Sequence, residues 1–213
     1  MSDLRAISVI SPSRPTSGLA DLRMTPDGAL YTVKHGLSVG IEGRVFGAYA
    51  GSITTPLTTA ATTAIVNTTP HLWVRVPEGT AIIPLSCKLT IESSGITTQG
   101  EASILIAQND IGSGTSTAAT GPVSLNTAAP VVSACTARNL ATGAATAPTN
   151  PLELTRFSWA LSTANTTFEW NVGQLGYWPI VRGAGSFAMY LGGNAVVYYA
   201  QMQWMELNEA GLS

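Results

Sequence analysis

The sequence predicts an all-β protein: an antiparallel β-sandwich, expected to be a jelly roll, with an extended N-terminal arm. Three observations carry that expectation. From about residue 41 onward, apolar and polar residues alternate with period two, the pattern of strands that turn one face to a core. Clusters of Gly, Pro, Asn, Asp and Ser separate these runs at the spacing of antiparallel connections. After the arm, no long window places apolar residues at i, i+3, i+4 and i+7 better than it alternates them.

Residues 1–40 form the arm. They hold Pro12, Pro15 and Pro26 and the turn pair Asp27–Gly28, without a sustained apolar period. Ile7, Val9, Ile10, Leu19, Leu22, Met24, Leu30 and Tyr31 nevertheless recur, which makes the segment too apolar for a freely solvated tail. It is expected to become ordered by lying on something else, and residues 41–213 are expected to form the sandwich.

The strands then follow in order. Residues 43–50 carry Val45 and Phe46, and Leu72, Val74 and Val76 alternate with Trp73 and Arg75. The clearest run, 81–92, puts Ile83, Leu85, Cys87, Leu89 and Ile91 on one face and Ser86, Lys88, Thr90 and Glu92 on the other. Further strands are expected at 102–106, 131–137, 152–161, 167–172, 186–191 and 195–207. In the last, Val196, Tyr198, Ala200, Met202 and Trp204 share one face while Tyr199, Gln201 and Gln203 take the other. One short helical turn is expected near 58–64. Gly183–Ala184–Gly185 and Gly192–Gly193 read as hairpin turns, and the connections at 51–64, 112–130 and 139–150 are almost free of charge.

Composition narrows the function. Charged residues are only 10% of the chain, against roughly a quarter in a typical soluble domain, so much of its surface is neutral or covered by partners. Ten Lys and Arg against twelve Asp and Glu give no positive field for a phosphate backbone, so no nucleic-acid partner is expected. No run approaches the roughly 20 apolar residues that cross a bilayer, and the start lacks an apolar signal core, so no membrane partner is expected either. Cys87 and Cys135 read as buried thiols, with a disulfide left open.

Chemistry-bearing groups are sparse. His35 lies in the arm and His71 begins a strand, and no Gly-x-Ser-x-Gly elbow accompanies them. Two separated histidines and two separated cysteines offer no zinc spacing, so no cofactor or metal is expected. Asn109–Asp110 lacks companion carboxylates for calcium. Glu153 with Glu169, or Glu92 with Glu101, are formal pairs for glycoside cleavage, read as solvent-facing strand positions. Trp159, Phe168, Trp170, Tyr177, Trp178, Tyr198, Tyr199 and Trp204 crowd the C-terminal third, where they serve as core, as a subunit interface or as a carbohydrate platform.

Three segments carry a family likeness: Met24–Thr25–Pro26–Asp27–Gly28–Ala29–Leu30–Tyr31; Asn67–Thr68–Thr69–Pro70 leading into Leu72–Trp73–Val74–Arg75–Val76–Pro77–Glu78–Gly79–Thr80; and Tyr199–Ala200–Gln201–Met202–Gln203–Trp204–Met205–Glu206–Leu207. In these the chain resembles bacteriophage virion proteins of the jelly-roll capsid cement or decoration type. The resemblance implies a trimeric jelly-roll body that sits on the major capsid protein, made in the host cytoplasm and resident on the capsid surface of the virion. The arm would then contact the capsid through Ile7, Val9, Ile10, Leu22, Met24, Leu30 and Tyr31. Other readings are a receptor- or carbohydrate-binding spike or tail domain, a glycan-cleaving virion enzyme resting on the Glu pairs, and the jelly-roll capsid protein of a non-tailed virus. The last ranks second, short of a basic inner arm, since the arm's few basic groups, Arg5, Arg14, Arg23 and Lys34, are partly balanced by Asp3, Asp21 and Asp27.

Overall fold

The computed structural model describes residues 42–208 apart from 53, 60–63, 95–98, 113, 129, 142–144, 161–163 and 194. The arm and its contact residues Ile7, Val9, Ile10, Leu22, Met24, Leu30 and Tyr31 lie outside the described residues, as does His35.

Strands are β1 (Val45–Ala50), β2 (Leu57–Thr58), β3 (Leu72–Val76), β4 (Thr80–Ser94), β5 (Gly100–Ala107), β6 (Thr117–Ala118), β7 (Thr120–Ser124), β8 (Thr136–Asn139), β9 (Leu152–Trp159), β10 (Ala164–Asn171), β11 (Val181–Arg182), β12 (Gly185–Gly192) and β13 (Val196–Asn208). They build two antiparallel sheets packed face to face as a sandwich. One has seven strands, with the order β10-β4-β13-β1-β7, β11 beside β4 and β2 beside β13. The other has six, in the order β6-β8-β3-β12-β5-β9.

The pairing is nested. β1 pairs with β13, β3 with β12, β4 with β10 and β5 with β9, so early strands meet late ones, each pair enclosed in sequence by the one before. Pairing of β13 with β4 and of β12 with β5 joins these ladders into the sheets. The segment between β5 and β9 then extends both edges: β7 adds beside β1, and β8, with β6 outside it, beside β3.

Period-two alternation explains the core. Phe46, Ala48 and Ala50 of β1, Cys87, Leu89 and Ile91 of β4, and Val196, Tyr198, Ala200, Met202 and Trp204 of β13 face inward against Leu72, Val74, Ile104, Phe187, Met189 and Leu191 of the other sheet. Burying each large apolar side chain stabilises the fold by about 1.5–3 kcal/mol. Trp159, Trp170, Tyr198 and Trp204 belong to this core, as one of the readings of the aromatic cluster expects. Cys87 and Cys135 are both buried free thiols, and desolvation pushes both up.

Several expectations are corrected. A register shift in the β4–β13 ladder, where Ser86 pairs with Gln203 but Pro84 with Trp204, breaks the alternation of 81–92. Ile82 therefore takes the core position, while Ile83 and Leu85 pack on the outer face with Val45, Met205 and Leu207. Residues 131–135 are not strand: Val131 and Val132 are exposed, and β8 begins at Thr136. Of the helical turn expected at 58–64, Thr58 is strand, in Leu57–Thr58 paired with β13, and residues 60–63 lie outside the described residues; the one helical turn among the described residues is Val172–Gln174. Neither glycine cluster is a hairpin turn. Gly183–Gly185 passes the chain from β11 in one sheet to β12 in the other, and Gly192–Gly193 leads from β12 back to β13. At Gly183 the close approach is decisive, since a Cβ there would lie 1.9 Å from the Pro77 carbonyl oxygen.

Candidate interaction surface

Every strand has a second face, and the two sheets dispose of it differently. On the six-stranded sheet, Trp73, Leu105, Ala107, Ala188 and Tyr190 point away from the sandwich core and are roofed by Ile65, Ile111, Ala141 and Ala145 from the long connections. All eight residues of β12 are consequently buried. Polar bonds fasten the roof. The Trp73 indole N–H donates to the Gly112 carbonyl at 3.0 Å, and the Ile111 N–H donates to Ser186 Oγ at 3.1 Å. Arg75 grips Asp110 through both carboxylate oxygens, and the Gly112 N–H donates to Asp110 Oδ1 at 2.8 Å. The Arg75 guanidinium holds the Asp110 carboxyl below its ordinary range, and Asp110 clamps the loop at 109–112 to β3.

His71 is likewise structural. Its Nδ1 accepts the Leu191 N–H at 3.1 Å, and the Tyr198 hydroxyl donates to its carbonyl. Burial lowers its pKa to about 4, so the ring is neutral near pH 7.

The carboxylate pairs of the enzyme reading do not converge. Glu153 is on β9 of the six-stranded sheet, but Glu169 is on β10 of the other; Glu92 and Glu101 are divided between the sheets in the same way. Instead Arg156 draws Glu101 and Glu153 together, donating to them at 2.7 and 2.8 Å, while the Ser103 hydroxyl donates to Glu153 at 2.7 Å. Among the described residues, no group of three or more His, Cys, Asp or Glu could hold a metal ion, and no helix is long and apolar enough to cross a membrane.

The outer face of the seven-stranded sheet carries no such roof among the described residues, and cross-strand register sorts it into rows. At the end where β1 begins, Val45 sits opposite Met205 and Met205 opposite Ile83, an apolar row flanked by Leu85 and Leu207. Val123 stands opposite Gly47, and the Leu125 N–H donates to the Val45 carbonyl at 2.8 Å. A hollow of about 480 Å³ beside this row is lined by Glu42, Arg44, Val131, Ala134 and Leu207, among others. Val123, Leu125, Val131 and Val132 are 53%, 49%, 45% and 91% exposed, a concentration of apolar surface beside the first described residues of the chain.

Glu206 holds this margin in place. Its buried carboxylate accepts from the Ser133 hydroxyl, the Ala134 and Cys135 N–H groups and the Trp204 indole, so the Val131–Val132 loop is pinned to β13. At the other end the rows turn polar: Gly47–Gln203–Ser86, then Tyr49–Gln201–Lys88–Glu169, then Tyr199–Thr90–Thr167.

Sequence reasoning named the alternation of β13 but not the surface it makes. Tyr49, Val123 and Leu125 escaped notice, because 112–130 looked like plain connection and β7 is too short to show a period. Comparison of the chain with family models, with curated proteins and with solved structures finds no match.

Proposed function

We propose that the chain is a structural subunit of a virus particle, a cement or decoration protein that binds the outer surface of a bacteriophage head as a trimer and stabilises contacts between major capsid proteins. One observation carries the reading: Val123, Leu125, Val131 and Val132 are exposed together at the margin where the chain enters the sandwich. Patches of this kind mark protein contacts, and many modest contacts made at once hold a lattice subunit without any single strong site.

The nested strand order supports the finer fold assignment. Omitting the inserted β6, β7 and β8 and the two-residue β2 and β11 leaves two four-stranded sheets, β10-β4-β13-β1 and β3-β12-β5-β9. That order is what a long hairpin gives when it is rolled into two layers, which supports the jelly-roll reading, a fold common among virion proteins but not diagnostic of function. The low share of charged residues, 10%, fits a subunit whose surface is covered by neighbours.

Heads assembled without this protein should bind it when it is added back and should then resist heating better. Removing residues 1–40 should abolish binding while leaving the sandwich folded, and Val132→Asp with Leu125→Asp should weaken it. Heads that take up the truncated, doubly substituted protein as well as the full chain would refute the reading.

A further inference from the structure

The polar end of the open sheet face holds a feature that a cement role does not require. Tyr49, Ser52, Lys88, Thr90, Tyr199 and Gln201 line an open hollow of about 410 Å³, floored by Ala50 and Ala200. That volume lies in the range of ligand clefts, roughly 300–1,000 Å³. Register fixes its layout: Tyr49 stands opposite Gln201 and Gln201 opposite Lys88, while Tyr199, two residues from Gln201 on the same face, stands opposite Thr90.

The Tyr199 ring is seated by the backbone. Gly51, at φ +93°, lies under it, and a Cβ there would come within 3.2 Å of the ring and 2.9 Å of the Thr55 carbonyl oxygen. Ser52 and Thr55 close the adjoining turn with reciprocal backbone bonds, and the Thr120 hydroxyl ties down the Gly51 carbonyl at 3.3 Å. Paired strands therefore set two amphipathic rings, Tyr199 against Gly51 and Tyr49 opposite Gln201, around a strip of amide, hydroxyl and ammonium groups. Tyrosine supplies contact area at small cost in rotamer entropy.

We propose that this hollow binds a neutral polysaccharide chain, with sugar faces against Tyr49 and Tyr199 and sugar hydroxyls bonded to Gln201, Thr90, Lys88 and Ser52. The chemistry selects that class. A purely apolar partner would leave Gln201 and Lys88 desolvated and unpaired, which costs free energy. A nucleic-acid strand would need a track of positive charge, whereas among the described residues Lys88 is the one basic residue lining the hollow and stands opposite Glu169. Sugars present alternating apolar faces and hydroxyl edges, and this surface matches both. The hollow shares no lining residue with the exposed Val123, Leu125, Val131 and Val132, so the proposal does not rest on the cement reading.

The test is affinity electrophoresis of the full-length protein through gels containing dextran, pullulan, glucomannan, mixed-linkage β-glucan or neutral bacterial O-polysaccharides. At least one polymer should retard the protein. Tyr199→Ala and Tyr49→Ala should each weaken that retardation about tenfold, the loss expected of an interface anchor, and Gln201→Ala should weaken it less; all three variants should match the parent in melting and in whatever head binding the parent shows. Tyr199→Phe should keep most of the binding, because it keeps the ring. No retardation by any polymer, or retardation unchanged in the Tyr49→Ala, Tyr199→Ala double variant, overturns the proposal. So does loss of head binding in that double variant, which would make the hollow part of a protein contact.

Discussion

The two outer faces of the sandwich are made of the same kind of alternating strand, yet the middle of one is roofed by connections, while the other carries no such roof among the described residues. On the six-stranded sheet the outward residues of the middle strands include Trp73, Leu105, Ala188 and Tyr190, and long neutral connections close over them as a second core, while Arg156 and Glu153 stay exposed and Glu101 half-buried toward the β9 edge. On the seven-stranded sheet the outward residues grade from Val45, Met205 and Ile83 to Tyr49, Gln201, Lys88 and Thr90. Connections rather than strands decide which face becomes stability and which becomes surface.

The contrast can be broken most forcefully at Trp73. Trp73→Ala should cost about 3–5 kcal/mol and detach the roof, since it empties a fully buried site and removes the bond to Gly112. Thermal or denaturant unfolding would show it, and a loss below about 1 kcal/mol would mean that the roof is not a core.

Acid should act next most strongly, through His71. Its folded pKa, about 4, lies below the ordinary 6.5, so between those values the unfolded chain binds the proton and the folded one does not. Stability from this group is full above pH 6.5 and falls by about 1.4 kcal/mol per pH unit as pH drops toward 4. Replacing His71 with Gln should flatten that slope in a series of denaturant melts.

Glu206→Gln should cost about 2 kcal/mol, because an amide cannot accept from all four donors that converge on the carboxylate. It should also loosen the loop that presents Val131 and Val132, seen as faster amide exchange at 131–135. Asp110→Ala should cost about 1 kcal/mol or less, since the Arg75 pair is partly exposed. Smallest of all, Tyr199→Ala on the open face should change stability by within about 0.5 kcal/mol. A larger loss there would show that this face, too, serves the fold.

Much of the fold was legible because alternation survives wherever one face of a strand is dry and the other wet. β13 and the inward half of β4 follow it residue by residue. Legibility failed where that physics failed. The register shift near Leu85 put Ile83 on the outer face, where an apolar row gives it a partly dry setting. Trp73 and Tyr190 looked like ordinary strand residues, since nothing local announces a roof contributed by residues 65, 111, 141 and 145. The hollow was half visible, in the parity of Tyr199 and Gln201, but Tyr49 and Lys88 come from strands far apart in sequence, and only the β1–β13–β4 register joins them.

Density maps of heads assembled with and without the protein test the central claim most directly. The account predicts sandwich-sized density repeated over the outer surface of decorated heads and absent from the others, with the seven-stranded sheet's Val123–Val132 margin toward the capsid. Identical maps, or added density confined to the interior or the tail, would contradict it.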